Sequence, residues 1–212
     1  MTTDLIKPVG MRRLLYVMAA DAEYGPHLQA RISPLMIGVG PVEAGIELAT
    51  ALAVAAGDGA LPDLIVSLGS AGSRKLEQGA VFQAATVSYR DMDASPLGFE
   101  KGQTPFMDLP VELNLDTLVP DLPAVRLSTG ANIVSGATYD TIDADMVDME
   151  TFALKRAAMR YDIPLVALRG ISDGAAELHH FDDWTHYLHV VDEKLADAVD
   201  RLEEALEAAG IA

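Results

Sequence analysis

The 212-residue chain has no cysteine, a single tryptophan, and only 15 Lys plus Arg against 32 Asp plus Glu. Each shortage removes a class of chemistry. Without thiols there is no disulfide framework, no thiolate nucleophile and no Cys-based metal site, a composition compatible with a cytoplasmic location. A formal charge of -17 leaves too few cations to neutralise a phosphate backbone or an anionic bilayer, so neither nucleic acid nor membrane is an expected partner. Long apolar runs are also missing. The opening MTTDLIKPVGMRR has no cationic start ahead of an apolar stretch, and LLYVMAADAE is soon broken by charge. No signal peptide and no membrane span are expected.

What is present is core-forming. Half of the residues are hydrophobic and the mean hydropathy is +0.20, which favours a packed globule, and the length suits one domain over residues 1–212. No linker, internal repeat or low-complexity run divides the chain; residues 1–11 read as a flexible N-terminal extension. Apolar runs at Leu14 to Ala20, Leu35 to Gly40, Leu64 to Gly72, Ala80 to Tyr89 and Pro164 to Gly170 read as strands, several too apolar for a sheet with one wet face. Between them PVEAGIELATALAVAAG opens on Pro41 and closes at Gly57 as a helix should. METFALKRAAMR repeats at helical spacing, and the C-terminal segment aligns Val191, Leu195, Val199, Leu202 and Leu206 on one stripe. The stretch from Asp91 to Asp121 is the least regular. These features predict an α/β fold with a central mixed, mostly parallel sheet flanked by helices, and ligands beyond the carboxyl ends of its strands.

Polar clusters sit at just those ends: Asp21 and Glu23 in MAADAE, Ser70 in SLGSAGS, Asp148 and Glu150 in DMVDMET, Ser172 and Asp173 in RGISDG. Taken singly, each has a structural explanation. Ser and Asp cap helices, glycines permit turns, and a carboxylate at a helix start favours the dipole. Their order is more specific. The strings from Ala19 to Glu23, GVGPVEAG from Gly38, GSAG from Gly69, DMDASPLGFEKGQTP from Asp91, VSGATY from Val134, VDMETFA from Val147 and RGISDGA from Arg169 together resemble the nucleoside phosphorylase family. Within it, the chain is similar to the bacterial nucleosidases that cleave methylthioadenosine and S-adenosylhomocysteine. The resemblance runs from about Leu14 to Leu202.

That resemblance implies a set of roles. Asp173 would hold a proton for N7 of the departing purine, Ser172 would orient its carboxyl group, and Arg169 would support the local network. Glu23 would activate the attacking water, Glu150 would accept from the ribose hydroxyls, and Met149 and Ser70 would line the ribose. Tyr139 stands where the family stacks an aromatic ring on the base, and Phe181 where one closes over the site. Phe99, Pro105 and Phe106 would reach the 5' pocket of a second subunit, implying a homodimer. No cofactor and no metal is expected: His179 and His180 beside Asp182 and Asp183 lack a third spaced ligand, and His186 and His189 suit packing.

A phosphorylase would carry an arginine before the Gly-Ser turn, where this chain has Ser67 and Leu68. Arg74, Arg12 and Arg13 are the remaining candidates for a phosphate, and water is the expected nucleophile. Three departures from the family pattern stand out: the crossing from Tyr139 to Asp148 is short, as is the stretch from Tyr24 to Ile37, and Ser73 replaces a usual glycine. A nucleosidase for another purine nucleoside, such as a futalosine-type substrate, is the alternative.

Overall fold

The computed structural model describes residues 2–174, 184–185 and 187–209. Its centre is three parallel strands, β2 (Arg12–Met18), β4 (Leu64–Gly72) and β9 (Leu165–Asp173), with Leu15 beside Ile65 and Ile65 beside Leu165. Successive side chains on a strand point to opposite faces, so strands apolar at every position need a core on both sides. They have one. Leu15, Val17, Ile65, Leu165 and Ala167 face one core, with Leu48, Leu52 and Leu154. Leu14, Tyr16, Met18, Val66 and Leu168 face the other, with Val191, Leu195 and Leu202.

The first core is covered by α2 (Pro41–Gly57) and α3 (Thr151–Ala158), the second by α4 (Leu188–Ala209), and α1 (Pro26–Gln29) packs on α4. All five stripe positions predicted for the last helix, from Val191 to Leu206, are buried. The boundaries of α2 coincide with those read from its opening proline and closing glycine.

Around this centre β3 (Leu35–Met36) pairs with β2. Strand β5 (Val81–Tyr89) lies antiparallel to β9 and parallel to β7 (Ala124–Thr129), with β6 (Glu112–Asn114) on its outer side. Strand β8 (Met146–Asp148) runs parallel to β7 and meets β4 where Val147 pairs with Gly72. The sheet thereby closes on itself through β4, β9, β5, β7 and β8.

One expectation is corrected. Residues 6–9 are not part of a flexible extension but form β1 (Ile6–Val9), antiparallel to β2 with Val9 opposite Arg12. Gly10, at φ +57, turns the chain tightly enough to make the hairpin, and Val9 is buried.

The carboxyl ends of β4, β8 and β9 are tied by one buried ion pair. Nε and Nη2 of Arg169 donate to Asp148 Oδ2 at 3.2 and 3.0 Å, and the two side chains are 3% and 1% exposed. Nη2 also reaches Thr151 Oγ1 and Ser67 Oγ, and Nη1 the carbonyls of Ser67 and Leu168. Thr129 Oγ1 donates to Asp148 Oδ1, and the Thr151 amide and hydroxyl both donate to Oδ2. Removing one partner from such a pair strands the other charge in the core. Asp148→Ala is therefore expected to lower unfolding free energy by about 3–5 kcal/mol, read from urea denaturation. A second test concerns Gly170, where an added Cβ would stand 2.4 Å from Val191 Cγ1. Gly170→Ala should cost about 1–3 kcal/mol by overpacking β9 against α4 in the same measurement.

Candidate active site

A cavity of about 590 Å³ opens beyond the carboxyl ends of the strands, within the usual size range of small-molecule sites. Glu23, Glu150 and Asp173, brought from three distant parts of the chain, all stand on its wall. Ser70 and Met149 line it too, together with the apolar Ala19, Val39, Ala71, Val134 and Val147.

Glu23 closes a short 3-10 turn after β2 and is buried. Its Oε1 accepts the Ser70 amide at 2.7 Å and the Ser70 hydroxyl at 2.5 Å. Burial pushes its carboxyl above the ordinary range, while the two Ser70 bonds pull it back. Gly69 makes room for it: a Cβ there would lie 3.2 Å from Glu23 Oε2.

Glu150 sits at the start of α3, where its Oε1 accepts the Gly40 amide at 2.8 Å. Desolvation, then the nearby Asp148 charge, push its carboxyl up to about 7. Behind Glu23 and Glu150 lies a second pocket of about 10 Å³, bounded also by Ser67, Ser70 and Arg169, roughly the room for one water.

Asp173 owes its aim to a β-bulge. The β4 and β9 pairing steps from Ala71 opposite Ile171 to Gly72 opposite Asp173, so Ser172 is the extra residue. A bulge bends its strand and redirects the next side chain, and here that side chain is Asp173. Ser172 is wholly buried, and its hydroxyl donates to Asp173 Oδ1 at 2.6 Å. Burial raises the Asp173 carboxyl above the ordinary aspartate range, against the pull of the Ser172 and Tyr139 hydroxyls.

Tyr139 falls in a 3-10 turn, Gly136–Thr141. Its hydroxyl and Asp173 Oδ2 lie over Gly72, where a Cβ would be 2.2 and 2.8 Å from them. The tyrosine thus presents its oxygen to the acid from behind the wall, and it is not among the lining side chains. Arg169 likewise lies beneath the main cavity, 2% exposed and bonded to Asp148, so it acts as scaffold instead of contacting a ligand there. Phe99 and Phe106 stack edge to face at 5.5 Å, and Phe106 is 95% exposed. These two and Pro105 do not line the cavity of their own chain. Phe181, His179, His180, Asp182, Asp183 and His186 lie outside the described residues.

Two further wall residues make polar contacts that local pattern does not show. Arg90, just past β5, gives its terminal N–H groups to the carbonyls of Ser128, Asp148, Gly130 and Asn132, stapling the loop after β7 that carries Ile133 and Val134. Trp184 also stands on the wall, where its indole Nε1 donates to Ser70 Oγ at 2.9 Å. The unusual Ser73 also has a use: its hydroxyl donates to Asp145 O and accepts the amides of Lys75 and Leu76, fixing the turn after β4.

None of the cations considered for phosphate reaches the cavity wall. Arg13 pairs with Asp63 at the opposite end of β2 from Glu23, beside Arg12. Arg74 is spent on Gly136 O and Asp140.

Among curated relatives, the methylthioadenosine/S-adenosylhomocysteine nucleosidase of Exiguobacterium sp. is 29% identical over 196 residues, covering 81% of each chain. That of Haemophilus influenzae strain PittEE is 29% identical over 66% of this chain and 67% of its own. The nucleosidase of Colwellia psychrerythraea 34H, solved with adenine, superposes with a TM-score of 0.77 at 18% identity, covering 94% of this chain and 98% of its own. The futalosine hydrolase of Helicobacter pylori strain 26695 gives 0.76 at 17%, over 90% and 97%. Residues 23–209, which hold all three acids of the cavity, match the Phosphorylase superfamily, and the chain is a member of it.

Proposed function

We propose that the chain is a purine nucleosidase that hydrolyses the N-glycosidic bond of 5'-substituted adenosines, methylthioadenosine and S-adenosylhomocysteine among them, and releases adenine. The observation that carries this reading is the convergence of Glu23, Glu150 and Asp173 on one cavity. Cleavage of such a bond passes through an oxocarbenium-like sugar, so it needs a proton for the leaving base, a poised nucleophile and acceptors for the ribose hydroxyls. Asp173, whose carboxyl burial raises above the ordinary aspartate range, delivers its proton to N7 so that the purine departs neutral. Glu23, whose two bonds from Ser70 oppose the upward push of burial, takes a proton from water on the other face of the sugar. The small pocket bounded by Glu23, Ser70 and Arg169 has the size for that water. Glu150 accepts from the ribose hydroxyls, and Met149 packs on the ring.

Water is favoured over phosphate because an anion needs a cation that is free to bind it. Arg90 is the arginine on the main wall among the described residues, and its four terminal N–H groups already serve backbone carbonyls. An apolar 5' pocket also favours an alkylthio group over a hydroxyl, since a hydroxyl there loses its hydration without a partner. Val39 and Ile133, 55% and 72% exposed at the cavity mouth, continue onto Val42 and Ile46 of α2. We assign this apolar face to a homodimer in which Phe99, Pro105 and Phe106 complete the partner's 5' pocket. The work would be that of a soluble cytoplasmic enzyme in methionine salvage. Among the described residues no helix is long and apolar enough to cross a membrane.

Adenine release from methylthioadenosine should proceed in phosphate-free buffer, and ribose-1-phosphate as a product would overturn hydrolysis. Asp173→Asn should lower kcat by about 10²–10⁴-fold while adenine binding, followed by calorimetry, is retained. The pH dependence of kcat/KM should be bell-shaped. Activity is lost as pH falls and Glu23 takes up a proton, and lost again as pH rises and Asp173 gives one up. Because burial raises both groups, both limbs should lie above the ordinary carboxylate range.

A further inference from the structure

Trp184 is the chain's one tryptophan, and it stands on the cavity wall next to Ser70. Its bond to Ser70 Oγ leads on to Glu23: indole N–H to Ser70 Oγ at 2.9 Å, then Ser70 hydroxyl to Glu23 Oε1 at 2.5 Å. The direction of this relay is fixed by chemistry. An indole N–H can only donate and a carboxylate can only accept, while a serine hydroxyl has one proton. With the indole in place, Ser70 accepts on one side and must give its single proton to Glu23 on the other. Oε1 then holds two donors, the Ser70 hydroxyl and amide, and Oε2 remains the oxygen for a reacting water.

We infer that Trp184 is a positioning residue for Glu23, locking the Ser70 hydroxyl in the orientation that donates to the carboxylate and holds it aimed. The inference rests on the water-activating role proposed for Glu23. The other charged groups that act on Glu23 are Arg169 of β9, Asp148 of β8 and the adjoining Glu150. Changing the indole therefore alters one influence on the acid and leaves those in place.

The informative variant is Trp184→Phe, which keeps an aromatic ring and deletes the N–H. Its kcat/KM on methylthioadenosine should fall about tenfold, the scale of one lost charge-linked hydrogen bond. The acid limb of the pH profile should move upward, because a carboxylate with a loosened donor takes up a proton more readily, while the basic limb stays. In a Ser70→Ala background the same change should have no further effect, since the link it acts through is gone. A separate arm needs no activity and no variant at Trp184. Acrylamide quenching of this sole tryptophan should increase in Ser70→Ala relative to wild type, as the indole loses its anchor. An unmoved acid limb, additive losses in the double variant, or unchanged quenching would overturn the inference. If wild type releases no adenine from any 5'-substituted adenosine, the functional reading fails, and quenching still decides whether Trp184 is held by Ser70.

Discussion

The buried bridge between Arg169 and Asp148 is the constraint on which the site depends. A guanidinium taken out of water has to find partners for its donors, and here it finds Asp148, Thr151, Ser67 and the carbonyl of Leu168. Each of these contacts fixes a strand end that carries part of the site. Ser67 lies three residues before Ser70, which holds Glu23; Asp148 lies two before Glu150; Arg169 lies four before Asp173. One cation therefore sets the relative positions of three acids that are far apart in the chain. Its energetic worth as a pair is secondary, since desolvation offsets much of the attraction. What it supplies is a single geometry.

On that frame the three carboxyl groups meet different surroundings. Glu23 has two donors on one oxygen, Glu150 has a single backbone donor and an acidic neighbour, and Asp173 has a serine on one oxygen and a tyrosine beside the other. Carboxylates with distinct environments can hold distinct protonation states in one cavity. An acid and a base can then coexist about one ligand.

The central architecture was legible in the sequence because burial on both faces leaves continuous apolar runs, as in β4 and β9, and because Pro41 and Gly57 punctuate α2. Strands β6 and β8, at three residues each, are too short to show a period, and β7 is diluted by Arg126. Strand β1 was taken for a tail because its stabilisation comes from pairing with β2 and its own composition gives no sign of it. In the site, the acids were found through the order of their motifs. The burial of Arg169, the four-carbonyl grip of Arg90 and the second partner of Ser70 are long-range facts, invisible to local pattern. So is the extra residue at Ser172, because a bulge is defined by the partner strand.

That bulge sets how this protein can vary. Because side chains alternate along a strand, gaining or losing one residue between Leu165 and Asp173 would rotate the acid toward the opposite core and take Ser172 out of its place. Along β9 the count of residues is fixed, and the surface that Asp173 presents to the cavity can change there only by exchanging one side chain for another.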